Sequence, residues 1–331
     1  MSAQAPSLPT FDDVRQAAKR LHGVAVRTPL LESVHLNDQL GCRLLVKAEC
    51  LQRTGSFKFR GAYNRLAQLS DVEKKRGIVA FSSGNHAQGV AAAARILGIP
   101  ATIVMPSDAP AIKTANTKAD GATVVPYERR DANRVAIATK IMEETGAVLV
   151  PPYDDPHIMA GQGTAGLETI AQAREMGATV DLFLAPVSGG GLIGGCALAF
   201  EGESPSTKLY ATEPEDFDDT AQSVAAERRI EITPGKPSIC DALLVETPGA
   251  LSFEVNKRRL EGGLRVSDNE ALAAMATAFN ALKIVLEPSG AVPLAAVLNG
   301  RVDVKGKTVA VLVSGGNVDP NMFCRAILDG S

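Results

Sequence analysis

The sequence predicts an α/β protein built on parallel β-sheets, and three observations carry that expectation. Between about residues 60 and 300, short β-rich runs alternate with Ala-rich helical segments; strands alternating with helices pair in parallel through right-handed crossovers. Three of the runs end in Gly- and Ser-rich turns: Ser82-Ser83-Gly84-Asn85-His86, Ser188-Gly189-Gly190-Gly191-Leu192 and Ser314-Gly315-Gly316-Asn317. The chain has 331 residues, too many for one small core, so two domains or one large unit with an insertion are expected.

Taken in order, Thr10 followed by Asp13 reads as a capping box and starts a helix that runs to about Leu21. Leu44–Lys47 reads as a strand. The later strand-like runs are Ile78–Phe81, Ala101–Met105, Ala122–Pro126, Ala147–Val150, Asp181–Val187, Lys208–Thr212 and Lys307–Val313. Helices are expected at Ala87–Leu97, Ala132–Glu144, Gly163–Glu175, Gly191–Phe200, Asn269–Leu282 and Pro293–Leu298. Pro151-Pro152 stiffens one crossover and is a candidate hinge. Four strand-like runs lie between about residue 53 and that hinge, which suggests a compact unit inserted into a larger one.

Composition narrows the function. The net charge is -3 with no long run of one sign, which argues against nucleic acid as a main partner. No apolar stretch is long enough to cross a bilayer, and the N-terminal MSAQAPSLPTFDD lacks the pattern of a signal peptide. Cys42, Cys50, Cys196, Cys240 and Cys324 are scattered, with no CxxC pair. A reduced, cytoplasmic protein is expected.

In parallel α/β folds, ligands sit beyond the C-terminal ends of strands, at helix N-termini. Glycines at those ends let the backbone approach an anion closely. Three such loops favour one shared pocket. The middle loop has a rival reading: Gly189 to Gly194 satisfies GxGxxG after a strand, and Glu213 follows about twenty residues on, as in a dinucleotide fingerprint. That fingerprint belongs in the first βα unit, whereas here half the chain precedes it, so the anion cradle ranks first. Lys58 lies between Phe57 and Phe59 at an apparent helix start; desolvation there would lower its pKa and make it a usable nucleophile.

Ser56-Phe57-Lys58-Phe59-Arg60-Gly61-Ala62, together with Ser82-Ser83-Gly84-Asn85-His86, resembles fold-type II pyridoxal-phosphate (PLP) enzymes. The resembling subgroup is the threonine/serine ammonia-lyases (dehydratases) and the serine racemases. Met105-Pro106 with Asp108-Ala109-Pro110, Ala160-Gly161-Gln162-Gly163-Thr164, Glu287-Pro288-Ser289-Gly290 and Ser314 to Asp319 match in the same order. The likeness runs from about residue 10 to 330. It implies two three-layer domains with parallel sheets, in the tryptophan synthase β-like arrangement: a large PLP-binding domain from residues 1–52 and 151–331, and a small inserted α/β domain at 53–150.

The resemblance also implies roles. Lys58 holds the cofactor as a Schiff base and Phe57 flanks its ring. Asn85 bonds the 3-hydroxyl, and the N–H groups of Ser188, Gly189, Gly190, Gly191 and Leu192 hold the phosphate. Glu287 belongs to the cofactor contacts, and Ser314 sits against the pyridine nitrogen. Ser83, Asn85, His86 and Arg134 face the substrate. In the racemases the serine corresponding to Ser83 serves the opposite face of the cofactor; capping the following helix is an equal alternative. Arg134 is equally well a solvated helix residue. Glu213, the Phe217 carbonyl and Asp219 correspond to a site for Mg²⁺, Ca²⁺ or Mn²⁺, against the plainer reading of a solvated acidic loop.

The expected reaction is α,β-elimination of water from L-threonine, L-serine or 3-hydroxyaspartate, giving a 2-oxo acid and ammonia. A serine racemase with side elimination is the alternative, and a dinucleotide-binding oxidoreductase a more distant one. The expected partner is a small amino acid, in a homodimer or homotetramer. No regulatory domain is expected after Asn317, which favours catabolic use.

Overall fold

The computed structural model describes residues 7–82, 84–109, 111–128 and 133–329. The chain begins with α1 (Phe11–Leu21), β1 (Leu30–Glu32), α2 (Val34–Leu40) and β2 (Arg43–Ala48). Next come α3 (Lys58–Leu66), α4 (Asp71–Arg76), β3 (Ile78–Phe81), α5 (Asn85–Leu97), β4 (Ala101–Pro106), α6 (Ala111–Ala119), β5 (Thr123–Tyr127), α7 (Arg134–Thr145) and β6 (Val148–Leu149). Then follow α8 (Pro156–Glu175), β7 (Leu182–Pro186), α9 (Gly191–Glu203), β8 (Lys208–Pro214), α10 (Asp219–Ala225), α11 (Ala250–Arg259) and β9 (Leu260–Val266). The last elements are α12 (Asp268–Thr277), α13 (Pro288–Leu298), β10 (Thr308–Val313) and α14 (Pro320–Asp329).

Two sheets form. One has six strands in the order β1-β2-β10-β7-β8-β9; the other has four in the order β5-β4-β3-β6. All pairings are parallel except β1 with β2. Both sheets are covered on two faces. Val309, Val311 and Val313 of β10 enter one apolar cluster, and Ala310 and Leu312 enter another. In β3, Ile78 and Ala80 face one layer and Val79 the other. Strands buried on both sides need apolar residues throughout, which is why these runs read clearly in the sequence.

The capping box at Thr10 and Asp13 is present, with both reciprocal hydrogen bonds. Two helix starts differ from expectation. Helix α8 begins at Pro156, not Gly163, with Asp155 as its N-cap and proline in the first turn. Its internal glycines allow contact rather than a turn. A Cβ on Gly161 would lie 2.6 Å from the Arg60 carbonyl, and one on Gly163 would strike Gly195 of α9. Helix α13 likewise begins at Pro288 and carries Pro293 inside it. The helical run from Asp268 relaxes into a π-turn over Ala278–Leu282.

Close approach of α3 to α8 is locked by a buried ion cluster. Arg60 is fully buried and forms two hydrogen bonds to Glu49, both 2.8 Å, and two to Glu168, both 2.8 Å. Lys47, also fully buried, donates to Glu168 at 2.6 Å and to Gln172 and the Thr28 carbonyl at 2.8 Å. Burial alone would raise the Glu49 pKa, but the Arg60 charge and its hydrogen bonds outweigh it and hold the carboxyl below its ordinary value.

Removing one partner strands the other charge, which costs about 3–5 kcal/mol. Arg60→Met is therefore expected to lower unfolding stability by that amount in urea titration. Glu168→Gln should cost less, because the Glu168 side chain is 22% exposed. The Glu49 contribution should be present above its unfolded pKa and disappear as pH falls through the lowered folded value.

Candidate functional site

Three strand ends converge on one cavity of about 370 Å³. Its wall includes Ser82, Gly84, Asn85 and His86 after β3, Ser188 to Leu192 after β7, and Ser314 after β10. Phe57, Lys58, Arg134 and Glu287 also line it. The loop after β10 is joined by backbone hydrogen bonds to the segment before α3 and to Glu287. Phe57 N donates to Ser314 O at 3.1 Å, Gly316 N to Gly55 O at 2.9 Å, and Glu287 N to Gly315 O at 3.1 Å.

Lys58 begins α3, and its Nζ donates to the Pro152 carbonyl at 2.8 Å. The same nitrogen lies 5.1 Å from the centre of the Phe57 ring. Burial pulls the amine pKa down to about 8, while the charge of Glu287 holds it up. Beside it, His86 is buried, and its Nε2 is 2.9 Å from the Val150 carbonyl. Burial, then the Lys58 charge, pull the imidazole down to about 3. The ring is therefore neutral at physiological pH, and the carbonyl partner requires the proton on Nε2.

Asn85 is fixed at both ends of its amide. Its Nδ2 donates to Glu287 Oε1 at 2.6 Å, and its Oδ1 accepts from Asn317 at 2.8 Å. Arg134 opens α7 with its guanidinium 5.6 Å from the Phe81 ring centre. In the same cavity wall, α9 starts at Gly191 with Gly190 as N-cap, at φ +91°, and no side-chain cap. Such an N-terminus, at the head of a 13-residue helix, suits an anion by its N–H groups and its dipole.

Ser83 lies outside the described residues. Glu213, Phe217 and Asp219 are not in the cavity wall. Glu213 is fully buried and accepts from Thr220 N at 2.8 Å and Ala221 N at 2.9 Å. Burial, then the charge of Asp219, push its pKa well up. Burial lifts Asp219 to about 8, with Asp218 adding to the rise. Among the described residues, no three His, Cys, Asp or Glu side chains gather as a metal cluster. Glu213 also fails the dinucleotide reading, since its carboxylate accepts from the first turn of α10 and is not in the wall with the glycine loop.

The sequence did not reveal Tyr153, whose ring covers Gly189, or Ser252 and Asn256, which bond the loop carbonyls. Tyr153 follows the proline pair, which was a usable signal. Ser252 and Asn256 share a helix face at i and i+4, an ordinary spacing with nothing to mark it.

The family description for pyridoxal-phosphate dependent enzymes matches residues 23–315. The chain belongs to this family. Over 321 residues it is 44% identical to an L-threonine ammonia-lyase from Thermotoga maritima, covering 97% of this chain and 79% of that protein. It is 43% identical to an L-threo-3-hydroxyaspartate ammonia-lyase from Pseudomonas sp, covering 97% and 99%. The structure of maize serine racemase superposes with a TM-score of 0.90 at 36% identity, covering 98% of each chain. The cofactor of the family is pyridoxal phosphate, and the fold is PLP fold type II. Among the described residues, no helix is long and apolar enough to cross a membrane.

The Lys58 amine gives this PLP-family site a direct test. In cofactor-free protein, its modification by an amine reagent should rise with a midpoint near pH 8, against about 10.4 for ordinary lysines. Glu287→Gln removes a negative charge and should lower that midpoint further. A Lys58 midpoint like that of surface lysines would refute the desolvated environment.

Proposed function

We propose that this chain is a PLP-dependent ammonia-lyase that eliminates water from a β-hydroxy amino acid. The observation that carries the reading is one desolvated lysine and one helix N-terminus without a side-chain cap in the wall of a single cavity. When bound, PLP supplies an electron sink that stabilises a carbanion at the substrate α-carbon. The residues present suit that group. Lys58 would hold it covalently until the substrate's amine displaces it, and the freed Lys58 amine would then take the α-proton. The N–H groups of Ser188, Gly189, Gly190, Gly191 and Leu192 hold its phosphate. Asn85 has a second amide hydrogen for the 3-hydroxyl, beyond the one given to Glu287. Phe57 would flank the ring and Ser314 would meet its nitrogen. A neutral serine there stabilises ring protonation less than a carboxylate, which favours loss of the β-hydroxyl. The products are water and an enamine that hydrolyses to a 2-oxo acid and ammonia.

The substrate carboxylate belongs with Ser83, Asn85 and His86. Arg134 is a fixed cation on the wall, and this supports a second carboxylate on the substrate, as in 3-hydroxyaspartate; L-threonine and L-serine are the other members of the class. The likeness to a serine racemase supports a second activity, with Ser83 serving the face opposite Lys58. The reading extends to a large domain of residues 1–52 and 151–331, a small one of 53–150, a homodimer or homotetramer, and a cytoplasmic location.

Borohydride is expected to fix PLP to Lys58, and Lys58→Ala to abolish turnover of L-serine, L-threonine and 3-hydroxyaspartate. Arg134→Gln should raise KM for 3-hydroxyaspartate at least tenfold more than for L-threonine. Ser83→Ala should impair racemisation and D-serine elimination far more than L-serine elimination. Keto-acid release persisting in Lys58→Ala would end the assignment. Equal losses on both serine enantiomers would remove Ser83 from the second face.

We also propose a divalent cation, Mg²⁺, Ca²⁺ or Mn²⁺, on Glu213, the Phe217 carbonyl and Asp219. Asp219 Oδ2 is buried without a hydrogen-bond partner, and hard oxygen donors suit such ions. A chelator should lower the melting temperature and Mg²⁺ restore it; an unchanged melting temperature would count against the site.

A further inference from the structure

The crossover from β6 to α8 carries two consecutive aspartates that cap two different helices. Asp155 is the N-cap of α8, with Oδ1 accepting from His157 N at 2.8 Å and Ile158 N at 2.9 Å. Asp154 turns the other way. Its φ is +60°, in the left-handed region that aspartate tolerates better than most residues. From there its carboxylate accepts three N–H groups in the first turn of α11: Ala250 at 3.0 Å, Leu251 at 2.7 Å and Ser252 at 3.0 Å. Helix α11 has Gly249 at its N-cap and no side-chain cap of its own. The cap is supplied from 96 residues away. A Cβ on Gly249 would approach the Asp154 carboxylate to 2.5 Å.

Helix α11 in turn grips the loop after β7. Ser252 Oγ donates to Gly189 O at 2.5 Å, Gly249 N to the same oxygen at 3.1 Å, and Asn256 Nδ2 to Gly190 O at 3.3 Å. These bonds draw the loop carbonyls towards α11 and so orient the peptide planes of Gly189 and Gly190. The two residues before Asp154 also touch the cavity: Tyr153 packs on Gly189, and the Pro152 carbonyl accepts from Lys58.

We propose that Asp154 is a positioning residue: by capping α11 from the crossover, it sets the anion-binding loop and holds the Pro152 carbonyl opposite Lys58. The inference rests on the reading of Ser188–Leu192 as the phosphate site. Losing a cap of this kind weakens what depends on it by about tenfold.

The test strips the cofactor and titrates the protein with PLP by absorbance, with inorganic phosphate as competitor. Wild type should bind PLP and show phosphate competition; PLP binding without competition would overturn the loop reading, and this inference with it. Given competition, Asp154→Gly keeps the left-handed backbone without the carboxylate. It should bind PLP and phosphate about tenfold more weakly. Asp154→Asn should recover most of the loss, since one oxygen still reaches Leu251 and Ser252. Gly249→Ala, which presses on the same carboxylate from the helix side, should repeat the loss. Asp155→Ala removes the α8 cap and the Arg65 ion pair but leaves the α11 cap in place, and should lower the melting temperature with PLP affinity within about twofold of wild type. The cap proposal fails, with the loop reading intact, if Asp154→Gly and Gly249→Ala both bind PLP like wild type. It fails equally if Asp155→Ala loses as much affinity as Asp154→Gly.

Discussion

The guanidinium of Arg60 sits two residues along α3 from Lys58, and its four hydrogen bonds to Glu49 and Glu168 decide where that helix can lie. Glu49 follows β2, and Glu168 is on α8. The lysine is thus tied to the six-stranded sheet through carboxylates that tolerate little displacement, because a buried charge parted from its partner is expensive. Gly61 and Gly161 then bring the two helices into backbone contact: a Cβ on Gly61 would lie 2.9 Å from the Ile158 carbonyl. Glycine inside a helix costs about 1 kcal/mol relative to alanine. Here that cost is offset by an approach close enough for the ion cluster to close.

The cavity benefits from the same rigidity. An amine that acts as a nucleophile or base must be uncharged for part of the time, and burial pulls Lys58 in that direction. Glu287 works in the opposite direction, so the amine is brought near neutrality without being driven far below it. Glu287 is itself held by Asn85. The same carboxylate therefore orients the Asn85 amide on the cavity wall and sets the electrostatic environment of the lysine.

Much of this was legible in local sequence. The three glycine-bearing loops and Lys58 declare themselves because glycine, serine and a lysine between two phenylalanines are local signals. The helix start at Pro156 was not legible, because Gly161 and Gly163 resemble a turn until their partners Gly61 and Gly195 are known. Strand β9 was missed for a related reason: Glu261-Gly262-Gly263 lowers strand propensity, and Gly263 is needed because a Cβ there would strike Ala221 of α10. The Arg60 cluster and the Asp154 cap join residues far apart in the chain, and a charged residue in sequence does not state whether it will be buried. Ser252 and Asn256 gave no sign for the same reason.

The balance between elimination and racemisation follows from which groups can move protons. His86 lines the cavity and is titratable, but its neutral ring is committed to the Val150 carbonyl and holds its second proton only near pH 3. Glu287 is engaged with Asn85, and a guanidinium is not a proton-transfer group. Lys58, brought to about 8, is the group matched to proton transfer near neutrality. A site with one well-matched base removes the α-proton from one face. Returning a proton to the other face would require a second donor, the role proposed above for Ser83. On the proposed reading, a neutral Ser314 at the ring nitrogen would make departure of a β-hydroxyl the easier exit for the charge left by that proton, and elimination would lead.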